Sequence, residues 1–378
     1  MTTTPQSVDS ALPLPLTVES ITPEWLTRAL GQRFPGVQVE HCDVVDILPG
    51  TCTKIRLRLT LNDAGQAAGI PQQVILKGGF EPHSRTMFLT HEKEVRAYRD
   101  LFPELKLHSP ECYFADYDLE RQQGIVIIED LLVRGVDFCH PQKPQSYEQV
   151  ADRLAALARF HARSWDSPEL RPGGRWHWAH DYLAASQIYM KRYLEPDIWD
   201  HYVRSSRGAA ASVHFHDREW MASALDLFPH FAEDLPRCLI HGDTHLGNLY
   251  IDPDGTPGFF DPQPMQAPVM VEVAYHIACA LDPMDRRRWE GSLVQHYLGE
   301  LRRQGVEAPS FDAAMQQYSA FLVLGYCIFL VNASDFQPEA INTAYTARFS
   351  AAMIDNRTLD VLQAISSRVG VAFAGRVV

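Results

Sequence analysis

The segment 239–261 constrains the fold more than any other part of the chain. Two short apolar runs flank a loop that contains Asp243 and Asn248. The sequence Asp-Pro-Asp-Gly at 252–255 is a strong turn signal, so a third apolar run is predicted to return as a strand that ends at Asp261. We therefore expect one hairpin-like unit that carries all three polar side chains.

The spacing of these side chains indicates phosphoryl transfer. Asn248 follows Asp243 by five positions, as in the protein-kinase catalytic loop H-R-D-x-x-x-x-N, and Asp261 takes the place of the downstream metal-binding Asp. Transfer from ATP needs a carboxylate that accepts the proton of the attacking hydroxyl, and oxygen ligands that hold Mg²⁺ on the phosphates. Asp243 is thus the candidate base, and Asn248 and Asp261 are the candidate metal ligands. A single Asp before a turn is more often a cap, but the matched order of strands, turn and polar residues favours the catalytic interpretation.

A kinase also needs a lysine on a central strand and a glutamate on the following helix. The apolar run 74–76 ends in Lys77, and residues 91–101 show helical spacing that includes Glu94. We expect an ion pair between Lys77 and Glu94, with Glu92 as the alternative partner. Taken alone, Lys77 is also compatible with an ordinary lysine at a strand end.

The turn at residues 49–54, Pro-Gly-Thr-Cys-Thr-Lys, is the candidate for covering the phosphates. It has one glycine where the protein-kinase loop has three. The backbone N–H groups of Thr51, Cys52 and Thr53 could still form a concavity that binds an anion, and an ordinary hairpin turn is the alternative. The strand that follows alternates apolar and polar residues through Leu61, which is typical of an antiparallel sheet with one buried face.

The apolar run 124–128 ends at Glu129, Asp130 and Leu131. In a kinase with two lobes, the chain crosses between the lobes at this point and offers backbone groups to adenine. Glu129 and Leu131 are therefore candidate nucleotide-binding residues. A central strand with a polar end is the simpler alternative.

Together these segments resemble the aminoglycoside phosphotransferase and choline-kinase-like superfamily, and above all its ecdysteroid-kinase-like branch. The resemblance covers about residues 46–280 and rests on the following motifs: Pro49-Gly50-Thr51-Cys52-Thr53-Lys54, Ile75-Leu76-Lys77, Glu94-Val95-Arg96-Ala97-Tyr98, Glu129-Asp130-Leu131, Leu157-Ala158-Arg159-Phe160-His161-Ala162, the loop from His241 to Asn248, and Phe260-Asp261-Pro262-Gln263.

The resemblance implies an ATP- and Mg²⁺-dependent small-molecule kinase that phosphorylates a hydroxyl group. Lys77 would bind the phosphates with Glu94 fixing it, Asp243 would be the base, and Asn248 and Asp261 would hold magnesium. These groups are expected to converge around the ion.

Two positions depart from the family pattern. Pro262 stands where an aromatic residue often follows the second metal Asp, which predicts a changed local turn with the ligand retained. Residues 272–274, Glu-Val-Ala, stand where Asp-Leu-Ala is common. The second departure leads us to expect altered polar contacts on the substrate side.

The predicted fold class is α+β: a two-lobed, protein-kinase-like fold with a small antiparallel-sheet N-lobe and a large, mainly helical C-lobe. We place the N-lobe, with the phosphate-binding sheet, at 1–132 and the C-lobe, with the catalytic loop, metal site and helical substrate region, at 133–378. Residues 1 to about 20 are rich in Ser, Thr and Pro and are expected to fray. A helix over 147–165 is expected to bury His161 as a core histidine bonded to a carbonyl.

Charge and cysteine content limit the partners. The net charge of −13 argues against nucleic-acid binding, which needs a basic face. Seven scattered cysteines without a C-x-x-C pair fit a reducing cytoplasm. The first basic residue is Arg28, so the basic start of a signal peptide is missing, and the apolar stretch 320–331 is too short to insert into a membrane and predicts a buried helix.

Two other interpretations remain. A degenerate kinase fold could bind nucleotide or a partner without transfer, as the single-glycine turn and Pro262 suggest. A zinc hydrolase could use the clustered histidines, although H-E-x-x-H does not occur. The sequence leaves open the choice of ATP or GTP, the oligomeric state and the acceptor, which could be an aminoglycoside, an amino alcohol, a sugar, a steroid or lipid alcohol, or a hydroxyacyl thioester. Residues 175–230 are rich in aromatics, which slightly favours an apolar or ring-bearing alcohol as the acceptor.

Overall fold

The chain forms two compact units, Met1–Val136 and Asp137–Val378, and the computed structural model describes residues 12–375. Unit 1 ends at Val136, four residues after the predicted boundary at 132. Unit 1 contains the antiparallel sheet and unit 2 is mainly helical, so the predicted fold class is confirmed.

Unit 1 is built on a five-stranded antiparallel sheet within the described residues, in the order β1-β2-β3-β5-β4. Its strands are β1 Val39–Leu48, β2 Thr53–Leu61, β3 Gln73–Gly78, β4 Cys112–Asp118 and β5 Gln123–Glu129. Its helices are α1 Pro23–Gly31, α2 Asp63–Ala67, α3 Phe88–Arg96, α4 Phe102–Leu105 and α5 Leu131–Arg134, and a π-helical turn over Ala97–Leu101 joins α3 to α4.

The alternation in β2 sets the orientation of the sheet. Ile55, Leu57, Leu59 and Leu61 point into the core of unit 1, while Lys54, Arg56 and Arg58 face outwards. Because successive side chains of a strand lie on opposite faces, this pattern fixes which face packs against α1.

Residues 12–20 pack onto unit 1, so the prediction of fraying is wrong for this segment. Leu12 and Leu14 are buried in the core of unit 1. The carbonyl of Pro13 accepts a hydrogen bond from the Trp25 indole (2.9 Å), and the carbonyl of Pro15 accepts one from Gln123 (2.8 Å). The part of the prediction that concerns residues 1–11 lies outside the described residues.

In the part of unit 2 that the structure describes, helices surround three small strand pairings. Its helices are α6 Tyr147–Ala162, α7 Tyr182–Lys191, α8 Pro196–Val203, α9 Ser206–Ala209, α10 Arg218–Phe231, α11 Met270–Ala280, α12 Pro283–Arg303, α13 Phe311–Val331, α14 Glu339–Asp355 and α15 Thr358–Val369. Its strands are β6 Asp137–Phe138, β7 Cys238–Ile240, β8 Leu249–Ile251, β9 Pro257–Phe259 and β10 Met265–Ala267; β6, β8 and β9 form one sheet, and β7 pairs with β10.

Two apolar helices form the centre of unit 2. Every residue of α11 is buried. Helix α13 contains the predicted buried stretch and is longer than predicted, at 21 residues. By length and composition alone it could cross a membrane, but 83% of its most apolar 18-residue segment is buried inside the protein. Helix α13 packs against α11 and α14.

Candidate functional site

The predicted hairpin is present in unit 2. Strands β8 and β9 pair antiparallel, with Leu249 opposite Phe259. The N–H of Phe260 then donates to the carbonyl of Asn248 (3.0 Å), which extends the pairing up to Asp261. The chain therefore brings Asp261 back beside the loop that contains Asn248.

Gly242 allows the loop to pass close to the returning chain. Its φ is +86°, and a Cβ at this position would lie 2.0 Å from the carbonyl oxygen of Gln263. The N–H of Gln263 donates to the carbonyl of His241 (2.8 Å). A side chain at 242 would thus collide with backbone that the hydrogen bond holds in place.

The Asp243 carboxylate is fixed from two sides. The Tyr275 hydroxyl donates to Oδ1 (2.9 Å), and Nδ2 of Asn248 donates to Oδ2 (2.9 Å). Nε2 of His245 lies 3.6 Å from Oδ2. The Asp243 side chain keeps about a third of its surface exposed, so it is both oriented and accessible.

The side chains of Asn248 and Asp261 fit a magnesium ion. Nδ2 of Asn248 donates to both the carbonyl and the carboxylate of Asp243, which leaves Oδ1 as the acceptor atom. One amide oxygen and one carboxylate, completed by phosphate oxygens and water, is a typical Mg²⁺ donor set. Within residues 12–375, no group of three His, Cys, Asp or Glu side chains is arranged to hold a metal by itself.

Helix α11 supports the loop through three polar residues on one face. Glu272, Tyr275 and His276 have the spacing i, i+3 and i+4, which places them side by side on a helix. They contact residues 241–244: Glu272 binds the backbone N–H groups of 241 and 242, Tyr275 binds Asp243, and Nδ1 of His276 donates to the carbonyl of Thr244 (3.0 Å). A helix that is otherwise apolar thus positions the whole loop.

Glu272 is the main charge in this contact. Its carboxylate accepts the N–H of His241 (3.0 Å), the N–H of Gly242 (2.7 Å) and Nε2–H of His161 (2.9 Å). Burial acts to raise the pKa of Glu272, but the hydrogen bond and charge of His161 hold this pKa below its ordinary value. We expected residues 272–274 to alter substrate-side contacts, whereas Glu272 contacts the backbone of the loop.

His161 is buried as predicted, but its partner differs from the prediction. It binds the carboxylate of Glu272, and its Nδ1 lies within hydrogen-bond distance of the Tyr297 hydroxyl (2.8 Å), where we expected a carbonyl. The sequence gives no direct sign of this contact because residues 161 and 272 are far apart in the chain.

Burial sets the protonation of the neighbouring groups. Burial and the charge of Asp243 raise the pKa of Tyr275 well above its ordinary value, so its hydroxyl stays a donor. Burial and the nearby Arg153 lower the pKa of His276 to about 3, so this histidine is neutral. Its Nε2 can then accept the Nε–H of Arg153 (3.3 Å) while Nδ1–H binds Thr244.

Unit 1 contains the expected ion pair. Lys77, at the end of β3, and Glu94, on α3, bind each other and are both buried. Glu92 instead pairs with Arg96 one turn along the helix (2.9 Å). The structure thus selects Glu94 over Glu92 as the partner of Lys77, while the role of the pair in binding phosphate stays a prediction.

The candidate turn and the end of β5 are also held by local contacts. The thiol of Cys52 lies 3.5 Å from the carbonyl of Gly78, and the Thr53 hydroxyl lies 3.5 Å from the Glu81 carboxylate. The N–H of Glu129 donates to Glu111 (2.9 Å), and Leu131 is buried at the start of α5. Nucleotide binding by Thr51, Cys52, Thr53, Glu129 and Leu131 stays a prediction.

Comparison with solved structures identifies the fold. The chain resembles choline kinase from Cryptosporidium parvum Iowa II, with 11% identity, a TM-score of 0.53 and coverage of 92% of this chain and 99% of that chain. It also resembles the Plasmodium vivax ethanolamine kinase Pv091845, with 11% identity, a TM-score of 0.50 and coverage of 88% of this chain and 86% of that chain. A third similar structure is APH(2″)-IIIa, which was solved in complex with GDP and kanamycin. It has 9% identity to this chain and a TM-score of 0.50, and the match covers 91% of this chain and 98% of that chain. At these identities the likeness establishes the fold alone.

The sequence comparison identifies the family. No curated protein matches the chain. The model of the ecdysteroid kinase-like family matches residues 50–306, which include the turn, Lys77, Glu94, the 239–261 hairpin and the polar face of α11. Since this match covers more than half of the chain, the protein belongs to the ecdysteroid kinase-like family.

Proposed function

We propose that the protein is a small-molecule kinase that transfers the γ-phosphate of ATP, with Mg²⁺, to a hydroxyl group of its acceptor. Membership of the ecdysteroid kinase-like family supports small-molecule phosphotransfer in general. The observation that carries the finer proposal is the hairpin of unit 2, which places Asp243, Asn248 and Asp261 around one loop over α11.

Asp243 would act as the base. Its contacts with Tyr275 and Asn248 fix the rotation of the carboxylate, so that an oxygen can accept a hydrogen bond from the acceptor hydroxyl. As the hydroxyl oxygen attacks the γ-phosphorus, its proton passes to Asp243, and the bond between the γ-phosphorus and the bridging oxygen of ADP breaks. Fixed orientation of this kind lowers the barrier because the reorganisation is made during folding.

The other charged residues would handle the phosphates. Asn248 Oδ1 and Asp261 would hold Mg²⁺, which when bound neutralises the charge that develops on the phosphates. The ammonium of Lys77, held by Glu94, would bind phosphate oxygens, as would the backbone of residues 51–53. We further propose that the protein is cytoplasmic and that its acceptor is a hydroxyl-bearing small molecule.

A direct assay is a screen for nucleotide consumption. The purified chain is incubated with Mg²⁺ and either ATP or GTP, together with panels of amino alcohols, aminoglycosides, sugars and hydroxylated steroids or lipids. We expect an acceptor whose addition releases nucleoside diphosphate and whose mass rises by one phosphoryl group. The absence of such an acceptor across all panels, in the presence of proven nucleotide binding, would contradict the proposal.

A non-catalytic nucleotide-binding protein is the second candidate. The single glycine in the turn at 49–54 and Pro262 directly after Asp261 favour it. This candidate predicts that ATP raises the melting temperature in a magnesium-dependent manner while no acceptor promotes ATP consumption. The charged residues that transfer requires are all present, which is why we rank it second.

A further inference from the structure

Two histidines hold the single-glycine turn in unit 1. Nε2 of His83 lies 3.0 Å from the carbonyl oxygen of Gly50, and Nε2 of His91 lies 3.1 Å from the carbonyl oxygen of Thr51. Both histidines belong to the segment that follows β3. The acceptors are carbonyl oxygens, so in both rings Nε2 must carry the hydrogen.

These contacts determine the direction of the next two N–H groups. A trans peptide unit is planar, and its C=O and N–H point in opposite directions. Since the carbonyl of Gly50 faces His83, the N–H of Thr51 faces away from it. The N–H of Cys52 likewise faces away from His91. Within residues 12–375, the N–H of Thr51 has no protein acceptor.

His91 packs closely against two glycines, with its ring against Gly79 and its Cβ and backbone against Gly124. A Cβ at Gly79 would lie 2.7 Å from Cε1 of His91, and a Cβ at Gly124 would lie 3.0 Å from Cβ of His91. His91 is therefore buried on α3 between the backbones of β3 and β5, and only 2% of its surface is exposed. A side chain at Gly79 would displace the ring, and one at Gly124 would press against the backbone of α3 at His91.

Burial favours the neutral form of His91 at this position. Burial lowers its pKa, against the opposing effect of the bond to Thr51, and the nearby charges of Lys77 and His83 lower it further. The neutral ring with Nε2–H supplies the single donor that the Thr51 carbonyl needs. His91 therefore shapes the turn through a directed hydrogen bond and needs no charge to do so.

We propose that His91, assisted by His83, is a positioning residue for nucleotide phosphate. The two imidazoles fix consecutive carbonyls of the turn and thereby its conformation, in which the N–H of Thr51 is presented to an anion. This arrangement does with two side chains what a loop of three glycines does by its own conformational freedom. The inference rests on the proposed function, because it assumes that the bound anion is the polyphosphate of the nucleotide.

The test is nucleotide affinity in variants that differ in one donor. Gln and Met have similar length and shape, but only Gln carries an N–H that can replace Nε2–H. We would measure the Kd of MgADP and of a non-hydrolysable MgATP analogue by calorimetry for His91→Met, His91→Gln, His83→Met and His83→Gln. Glu92→Gln is the matched control, since Glu92 lies on the same helix and binds Arg96.

We expect each Met variant to raise Kd about tenfold, which is equivalent to about 1.4 kcal/mol, and each Gln variant to stay within about threefold of the wild type. The control should bind like the wild type. Circular dichroism and melting curves establish that each variant is folded. His83 is partly exposed, so its variants are expected to fold. If His91→Met fails to fold, the Kd values of His83→Met and His83→Gln test the proposal.

The outcomes separate this inference from the proposed function. Equal affinity of wild type and both Met variants, or equal weakening by Gln and Met, overturns the positioning role and leaves the kinase assignment intact. A wild-type chain that binds neither nucleotide overturns both. Weakening by Met with recovery by Gln supports the inference, because a merely structural role would not depend on the donor.

Discussion

Replacing Glu272 by Gln should destabilise unit 2 strongly. The carboxylate accepts two backbone N–H groups and the imidazole of His161 at 2.7–3.0 Å, and it is buried. Gln offers a single oxygen, so its NH₂ group would face at least one donor. Breaking a buried charged contact on one side costs about 3–5 kcal/mol. For a unit of this size each kcal/mol lowers the melting temperature by about 2–4 °C, so we expect a fall of roughly 10 °C.

The pH dependence provides an independent check on this prediction. The pKa of Glu272 is lower in the folded chain than its ordinary value, so its contribution is complete above the pKa of the unfolded state. This contribution is lost as the pH falls through the folded pKa. The difference in unfolding free energy between wild type and Glu272→Gln should therefore be largest near neutral pH and shrink in acid.

Urea unfolding followed by tryptophan fluorescence and far-UV circular dichroism measures this difference. Glu233→Gln, at an exposed position of the same unit, is the control and should change the unfolding free energy by less than about 0.5 kcal/mol. If Glu272→Gln were as stable as the control, the carboxylate would not be holding the loop, and our description of α11 as the support of Asp243 would be refuted.

Further predictions concern four substitutions at single contacts. Tyr275→Phe removes the hydroxyl that binds Asp243 and keeps the ring, so kcat should fall about tenfold with the melting temperature nearly unchanged. Gly242→Ala places a Cβ against the Gln263 carbonyl at positive φ and should cost at least about 2 kcal/mol in urea unfolding. Arg207 donates to carbonyls in the last turn of α13 and pairs with Glu339, so Arg207→Met should lower the free energy of unfolding by about 3 kcal/mol. The Arg207 contact holds the pKa of Glu339 at about 2, so the loss caused by Glu339→Gln should disappear as the pH falls from the ordinary glutamate value towards 2.

Local patterns predicted the parts of the site that lie close together in the chain. The alternation in β2 gave the buried face of the sheet, and the turn at 252–255 placed Asp261 beside Asn248. Lys77 and Glu94 were predicted because a strand and the next helix are neighbours in space. In each case the physical constraint is short in sequence, so the sequence displays it directly.

The support of the loop could not be predicted in the same way. Glu272, Tyr275 and His276 contact residues about thirty positions earlier, and His161 lies more than a hundred positions from Glu272. The polar spacing i, i+3 and i+4 in an otherwise apolar helix is a signal that polar partners are buried, but it does not name them. The N-terminal residues were mispredicted because their composition suggested a polar tail, whereas Leu12 and Leu14 find apolar contacts in unit 1.

The most direct test of the catalytic assignment compares Asp243→Asn with the wild type at saturating nucleotide and acceptor. The substitution keeps the size of the side chain and removes the group that accepts the proton. Phosphoryl transfer should fall by orders of magnitude, at least about a hundredfold, while the Kd for magnesium nucleotide stays the same. Normal turnover by Asp243→Asn would show that another group accepts the proton and would contradict the account.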